Sequence, residues 1–305
     1  PFGAVRLALT RRDMKFARYI FINSMSALVL AFVSISLAFY SYGYLSLVYG
    51  SMCGTITTVL LAWFLSPSVS IVCPSISDLK KVISFGGKLS YINIIDTLSV
   101  PFYEAICSKF FSVSTNGLFS KGKGITQLFN KAVIDGFIPV ILPHFSKITI
   151  ASEVNKHHTI LVTNIAAVCW PLLAIIFVLA EPILTFLFGN QWGGASVFVQ
   201  WLVVINSIYI LHVFNGQILI SQGLLNTQVL YKSFGLMIAF PFAYYGAVHE
   251  SVTLFMLAML VQTLTELLFS EYILVTKCGI KIHKLISKLF NSLLVAIFVF
   301  LFVTS

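Results

Sequence analysis

Long apolar runs separated by short turns dominate this chain, and no other feature limits its fold so tightly. Nine such runs recur, at about 17–40, 44–66, 83–108, 124–146, 159–181, 195–220, 228–246, 252–275 and 286–304. A bilayer core of about 30 Å is crossed by roughly 20 apolar residues in a helix. None of the runs alternates apolar and polar residues as a lipid-facing barrel strand does, so helices are expected. Only 10% of the residues are charged and 58% are hydrophobic, whereas a soluble domain is about a quarter charged. The expected fold class is an all-α polytopic membrane protein with about nine transmembrane helices.

The basic residues give this layout an orientation. With the N-terminal segment in the cytoplasm, Arg6, Arg11, Arg12, Lys15 and Arg18 fall inside, as do Lys80, Lys81, Lys147, Lys156, Lys232, Lys277, Lys281, Lys284 and Lys288. The opposite turns at Ser41 to Gly43, Glu181 to Gly193 and Tyr245 to Ser251 carry no Lys or Arg. This is the positive-inside pattern. It accounts for the formal charge of +9 without a nucleic-acid partner. The stretch Arg6 to Arg18 reads either as a topology anchor or as a membrane-surface helix against anionic lipid. Five cysteines lie scattered with no CxxC pair, which indicates neither a disulfide framework nor a zinc site. The chain opens on Pro1 with no initiator Met or signal-peptide layout, and reads as an internal piece of a longer protein.

One polar linker, 67–82 with Pro67 and Pro74, separates two helices from seven. The expected organisation is 1–66 as the end of one lobe, 67–82 as a cytoplasmic linker, 83–275 as a six-helix lobe, and 276–305 as a loop and one extra helix.

The hairpin Ile83 to Ser146 stands apart because its membrane-length segments carry charge. An ionisable group at a helix centre costs about 2.5–3.5 kcal/mol on insertion scales and usually faces a cavity, a partner or a substrate path. On a helical wheel Lys88, Asn93, Asp96, Ser99, Tyr103 and Glu104 fall within roughly 160°, with Pro101 between the two carboxylates. In the next helix Gln127, Lys131 and Asp135 share one stripe, and Pro139 follows a turn later. Lys109, Lys121 and Lys123 flank the outer end. Two readings stand: a structural network of ion pairs between helices, or the lining of a hydrated cavity. The outer three lysines can also meet lipid headgroups. Cations exceed anions here, which suits an anionic solute such as a phosphate.

Outside the hairpin, Gln262, Glu266 and Ser270 form another stripe. Glu266 either faces the same cavity or makes a structural hydrogen bond. Asn206 and His212 can bond across helices, whereas His157 and His158 are expected in a cytoplasmic loop without a partner motif. There is no HExxH, GxSxG or paired metal-binding acid. The GKG within Ser120 to Gln127 lacks the leading glycine and spacing of a phosphate loop. Among residues that could serve a membrane enzyme, His144 is the one mild candidate.

Several strings together resemble a known family: LTRRDMKFARY before the first run, GYLSLVYGSM at Gly43 to Met52, FGGKLSYINIIDTLS at Phe85 to Ser99, NGLFSKGKGITQLFNKAV, FIPVILPHFSK, and AEPILTFLFGNQW at Ala180 to Trp192. In this order and spacing they resemble Wzx-type, WzxC-like polysaccharide or O-antigen flippases. These are lipopolysaccharide biosynthesis proteins of the multidrug/oligosaccharidyl-lipid/polysaccharide exporter superfamily. The resemblance implies a MATE-like fold of fourteen helices in two lobes, with about four helices before this chain and one after it. The family's usual Tyr and Arg correspond to Phe119 and Lys121 here, and its frequent Asp aligns with Tyr103, beside Glu104.

The function the resemblance implies is translocation of an undecaprenyl-pyrophosphate-linked oligosaccharide, an O-antigen or exopolysaccharide unit, across the bacterial inner membrane by alternating access. It implies no enzyme activity and no cofactor, with a proton or sodium ion as the coupling ion. Partners would be that glycolipid, membrane lipid and other polysaccharide assembly proteins. The candidate substrate or cavity residues are Lys88, Asp96, Glu104, Lys109, Lys121, Lys123, Lys131, Asp135 and Glu266. Two alternatives remain: a cation-coupled multidrug or small-solute exporter of the same superfamily, and a polytopic membrane enzyme of polysaccharide assembly.

Overall fold

The computed structural model describes residues 3–66, 75–148 and 150–304. Pro67, Cys73 and Pro74 of the expected linker lie outside the described residues. The chain forms two compact units, Pro1–Ser75 and Ile76–Ser305, and every described element is helical.

The first unit holds α1 (Ala4–Arg12), α2 (Phe16–Phe39) and α3 (Leu45–Leu65). Helices α2 and α3 pack along a small-residue seam. Gly50 and Gly54 of α3, spaced as GxxxG, lie against Ser34, Leu30 and Ser26 of α2, the spacing that lets two membrane helices approach closely. Ser26 and Thr58 then share a hydrogen bond of 2.6 Å across the pair. The basic N-terminal stretch closes the end of α3. Arg6 donates to the Trp63 carbonyl at 2.6 Å and lies over its ring, Arg18 donates to the Leu65 carbonyl at 3.2 Å, and Thr10 donates to Ser66 at 2.8 Å. Two of the terminal carbonyls of α3 thus receive cationic partners where the helix dipole is negative.

The second unit runs α4 (Ile76–Phe110), α5 (Val113–Val133), α6 (Ile138–Phe145), α7 (Ala151–Val178) and α8 (Ala180–Phe188). A 3₁₀ turn (Asn190–Ala195) leads into α9 (Ser196–His212), α10 (Asn215–Ser221), α11 (Leu225–Val248), α12 (Val252–Cys278) and α13 (Ile282–Thr304). Helix α4 starts at Ile76 and takes in the C-terminal half of the expected linker. Ser112 starts α5 by accepting a 3.1 Å bond from the Thr115 amide. The run expected at 124–146 is bent by 48° between α5 and α6. The break between them, 134–137, contains Gly136, and Pro139 falls in the first turn of α6, where its missing amide hydrogen costs no helical bond. The run expected at 195–220 is interrupted for two residues, Val213 and Phe214, between α9 and α10. His157 and His158 lie within α7 rather than in a loop.

Among the described residues six helices are long and apolar enough to span a membrane, or seven if α5 and α6 count as one bent span. Nine runs were expected from the sequence; α4 and α11 are long enough but fall outside this set. Both carry polar and charged side chains, among them Lys88, Asp96 and Glu104 of α4 and Gln228 and Lys232 of α11. Helix α13, by contrast, leaves Phe290, Phe298 and Leu301 exposed, as a lipid-facing helix does.

Two apolar cores hold the unit together. One gathers Phe129, Ile165, Leu184, Val199, Phe214 and Ile218. The other gathers Tyr103, Phe119, Phe198 and Phe255, with Phe119 edge-on to both Phe198 and Phe255. A Cβ on Gly122 would stand 2.9 Å from the Phe198 Cβ. The first glycine of the GKG string is therefore where α5 and α9 touch.

Candidate functional site

Helices α4, α5 and α9 to α12 line an open cavity of about 410 Å³. Three of its four charged groups meet where α4, α11 and α12 converge. Lys232 on α11 donates to Glu266 Oε2 on α12 at 2.7 Å, and its ammonium lies 2.9 Å from Asp96 Oδ1 on α4. The side chains of Lys232 and Glu266 are 13% and 8% exposed, and that of Asp96 is 50% exposed. One lysine thus pairs with a buried carboxylate and with a second one at the cavity surface. Such clusters persist in a low-dielectric interior only when each charge has a partner.

Hydrogen bonds extend the cluster. Gln262 donates to Glu266 Oε1 at 3.0 Å and accepts from the Tyr103 hydroxyl at 2.7 Å. Tyr103, where the resembled family has its frequent Asp, thereby joins α4 to α12. His212, at the end of α9, approaches Glu266 Oε2 at 3.9 Å through Nε2, which has no hydrogen-bond partner among the described residues. The same holds for Gln228 Oε1. Both side chains are buried and line the cavity. Gly216 makes room for Gln228: a Cβ there would stand 2.5 Å from Gln228 Nε2.

The remaining wall is rich in amides and hydroxyls. Asn206 donates to Asn130 at 3.0 Å, tying α9 to α5. Thr126, Gln127, Gln217, Thr263 and Tyr209 also line the space. Lys123 enters from α5 and pairs with Glu104 of α4, closing the outer end of the hairpin.

Of the nine residues proposed from the sequence as substrate or cavity residues, Asp96, Lys123 and Glu266 line this cavity, and Glu104 holds Lys123. The other five are elsewhere. Lys88 is half-buried outside the lining. The exposed Lys109 has its ammonium 5.4 Å from the Phe110 ring. Lys121 lies 4.5 Å over Phe188 and 5.0 Å over Trp192. Lys131 and Asp135 are exposed and line no part of it. Among the described residues the charged lining comprises Lys123, Lys232, Asp96 and Glu266, two of each sign, so the positive excess of the hairpin does not carry into the cavity wall. Lys232 was missed because its position near the start of an apolar run reads as a cytoplasmic flank. The signal available was that it follows Gln228 by four residues on one helical face.

A second polar cluster lies deeper, outside the cavity lining. Asn215, the first residue of α10, donates to Ser270 at 3.0 Å and to Glu271 at 2.9 Å, and pairs with His158 Nε2 at 3.1 Å. It fastens α7, α10 and α12 at the helix interruption.

Fold and cavity together define a multi-pass membrane protein whose second unit surrounds a polar chamber. A family model described as polysaccharide biosynthesis protein matches residues 1–197, and the chain belongs to that family. No curated protein and no solved structure matches it.

Proposed function

We propose that this chain is part of an exporter that moves a lipid-pyrophosphate-linked oligosaccharide across the bacterial inner membrane by alternating access. The observation that carries this reading is a polar chamber, inside an otherwise apolar helical unit, whose central Lys232 is shared by Asp96 and Glu266. Ionisable groups held inside membrane helices are found along solute and ion paths as well as in structural pairs, and here they face a cavity. An amide- and hydroxyl-rich lining with three tyrosines suits a glycan, whose hydroxyls both donate and accept. Lys123, half-buried beside Glu104, is the lysine best placed to meet a phosphate at the outer end. Family membership supports a polysaccharide pathway. The discriminating experiment is complementation of a flippase-deficient strain by the full-length protein, scored by surface polysaccharide. Gln262→Ala and Asn206→Ala are expected to lower export while the protein still reaches the membrane. Unchanged export in both would remove the cavity from the transport path.

A further inference from the structure

A second cavity, about 480 Å³, runs between the α5–α6 segment and α7. Apart from Asn164 and two histidines, its lining is apolar and includes Phe137, Val140, Ile160, Ile165 and Val168. Phe137, Ile160 and Val168 are also exposed, so the groove opens on the surface of the second unit. Its polar end is made by two histidines. His144 Nε2 of α6 lies 3.2 Å from His157 Nδ1 of α7, with both rings half-buried. Lys147 is close enough to His144 for its charge to act there, and Lys156 neighbours His157 in sequence.

Two imidazoles sharing one proton each keep a second ring nitrogen, and at least one of these carries an outward N–H. The histidine end therefore suits an anion, and the lysine distribution places it at the cytoplasmic face. From His157 to Val168 the groove follows twelve residues of α7, and eleven steps of about 1.5 Å span close to 17 Å. That is near half of a bilayer core of about 30 Å.

We propose that this groove is a binding site for one phospholipid of the cytoplasmic leaflet, with an acyl chain between α6 and α7 and an anionic headgroup phosphate at His144 and His157. Its length matches one leaflet, which favours an acyl chain over the much longer polyprenyl chain of a glycolipid. Phe137 sits at the α5–α6 bend, so the bound chain packs against the segment that turns α5, the helix carrying Lys123 and Asn130, into α6. The proposal does not depend on the transport reading.

The test is native mass spectrometry of the purified full-length protein, titrated in detergent with palmitoyl-oleoyl phosphatidylglycerol and, separately, phosphatidylcholine. Preferential retention of phosphatidylglycerol is expected. It should weaken about tenfold in His144→Gln/His157→Gln, as for loss of a hydrogen bond to a charged group. Val168→Trp, at an exposed position on the groove wall, should weaken both lipids with the histidines intact. A phosphatidylglycerol analogue photoactivatable in its acyl chain should label the groove wall. Equal affinity in wild type and both variants overturns the proposal. So does labelling confined to other helices, or variant-sensitive binding of a polyprenyl phosphate but not of phosphatidylglycerol.

Discussion

Lys232 of α11 and Glu266 of α12 meet at 2.7 Å inside the membrane unit, with Asp96 of α4 2.9 Å from the same ammonium. Removing the lysine leaves Glu266 buried without its cation, a change that costs about 3–5 kcal/mol in comparable buried pairs. Lys232→Met is expected to lower the thermal unfolding midpoint of the purified protein sharply. Adding Glu266→Gln should restore much of the loss, because it removes the stranded charge. A double variant no more stable than Lys232→Met would show that the two side chains are not energetically coupled.

The two glycines of the GKG string are expected to behave differently. A Cβ on Gly122 would crowd the Phe198 Cβ at 2.9 Å and the Val199 amide at 3.2 Å, whereas one on Gly124 meets nothing within 4 Å. Gly122→Ala should destabilise by about 1–3 kcal/mol through overpacking of α5 on α9. Gly124→Ala should be neutral or stabilising by up to about 1 kcal/mol from helix propensity. Paired unfolding curves decide this, and equal effects would contradict the packing role.

Asn215 holds three buried partners at once, His158, Ser270 and Glu271. Asn215→Leu fills similar space but strands polar groups, each costing about 1–3 kcal/mol. A large loss of stability is expected, together with faster hydrogen exchange around Val213 and Phe214, where α9 and α10 are interrupted. Exchange there that matches wild type would mean the cluster does not secure the interruption.

The helical, polytopic character was legible because hydrophobic run length speaks directly to a bilayer. The cavity was legible only in part. A helical wheel groups Asp96 with Lys88 and Gln127 with Lys131, but it cannot say which part of a polar arc turns inward. On α5 the lining follows Phe119, Lys123, Thr126, Gln127 and Asn130. Asp135 drops out because the helix has ended and the chain is turning into α6. Lys232 and Glu266 lie 34 residues apart, and no local pattern joins them. Their pairing comes from the packing of α11 on α12.

Placement in the cavity wall also sorts the lysines by expected effect on export. Lys123 lines the chamber and pairs with Glu104, while Lys88 and Lys131 lie outside the lining. Lys121 is engaged with Phe188 and Trp192, a contact of about 0.5–1 kcal/mol at such sites. In the complementation assay, Lys123→Gln should reduce surface polysaccharide with little change in protein level. Lys88→Gln and Lys131→Gln should export normally, and Lys121→Met should lose a little stability rather than activity. Because Lys123 leaves Glu104 only partly exposed, Glu104→Gln in the same chain should recover stability but not export if the ammonium itself meets the substrate. Recovery of export in that double variant would assign the Lys123–Glu104 pair to structure and leave the proposed glycan path to the amide and tyrosine side chains.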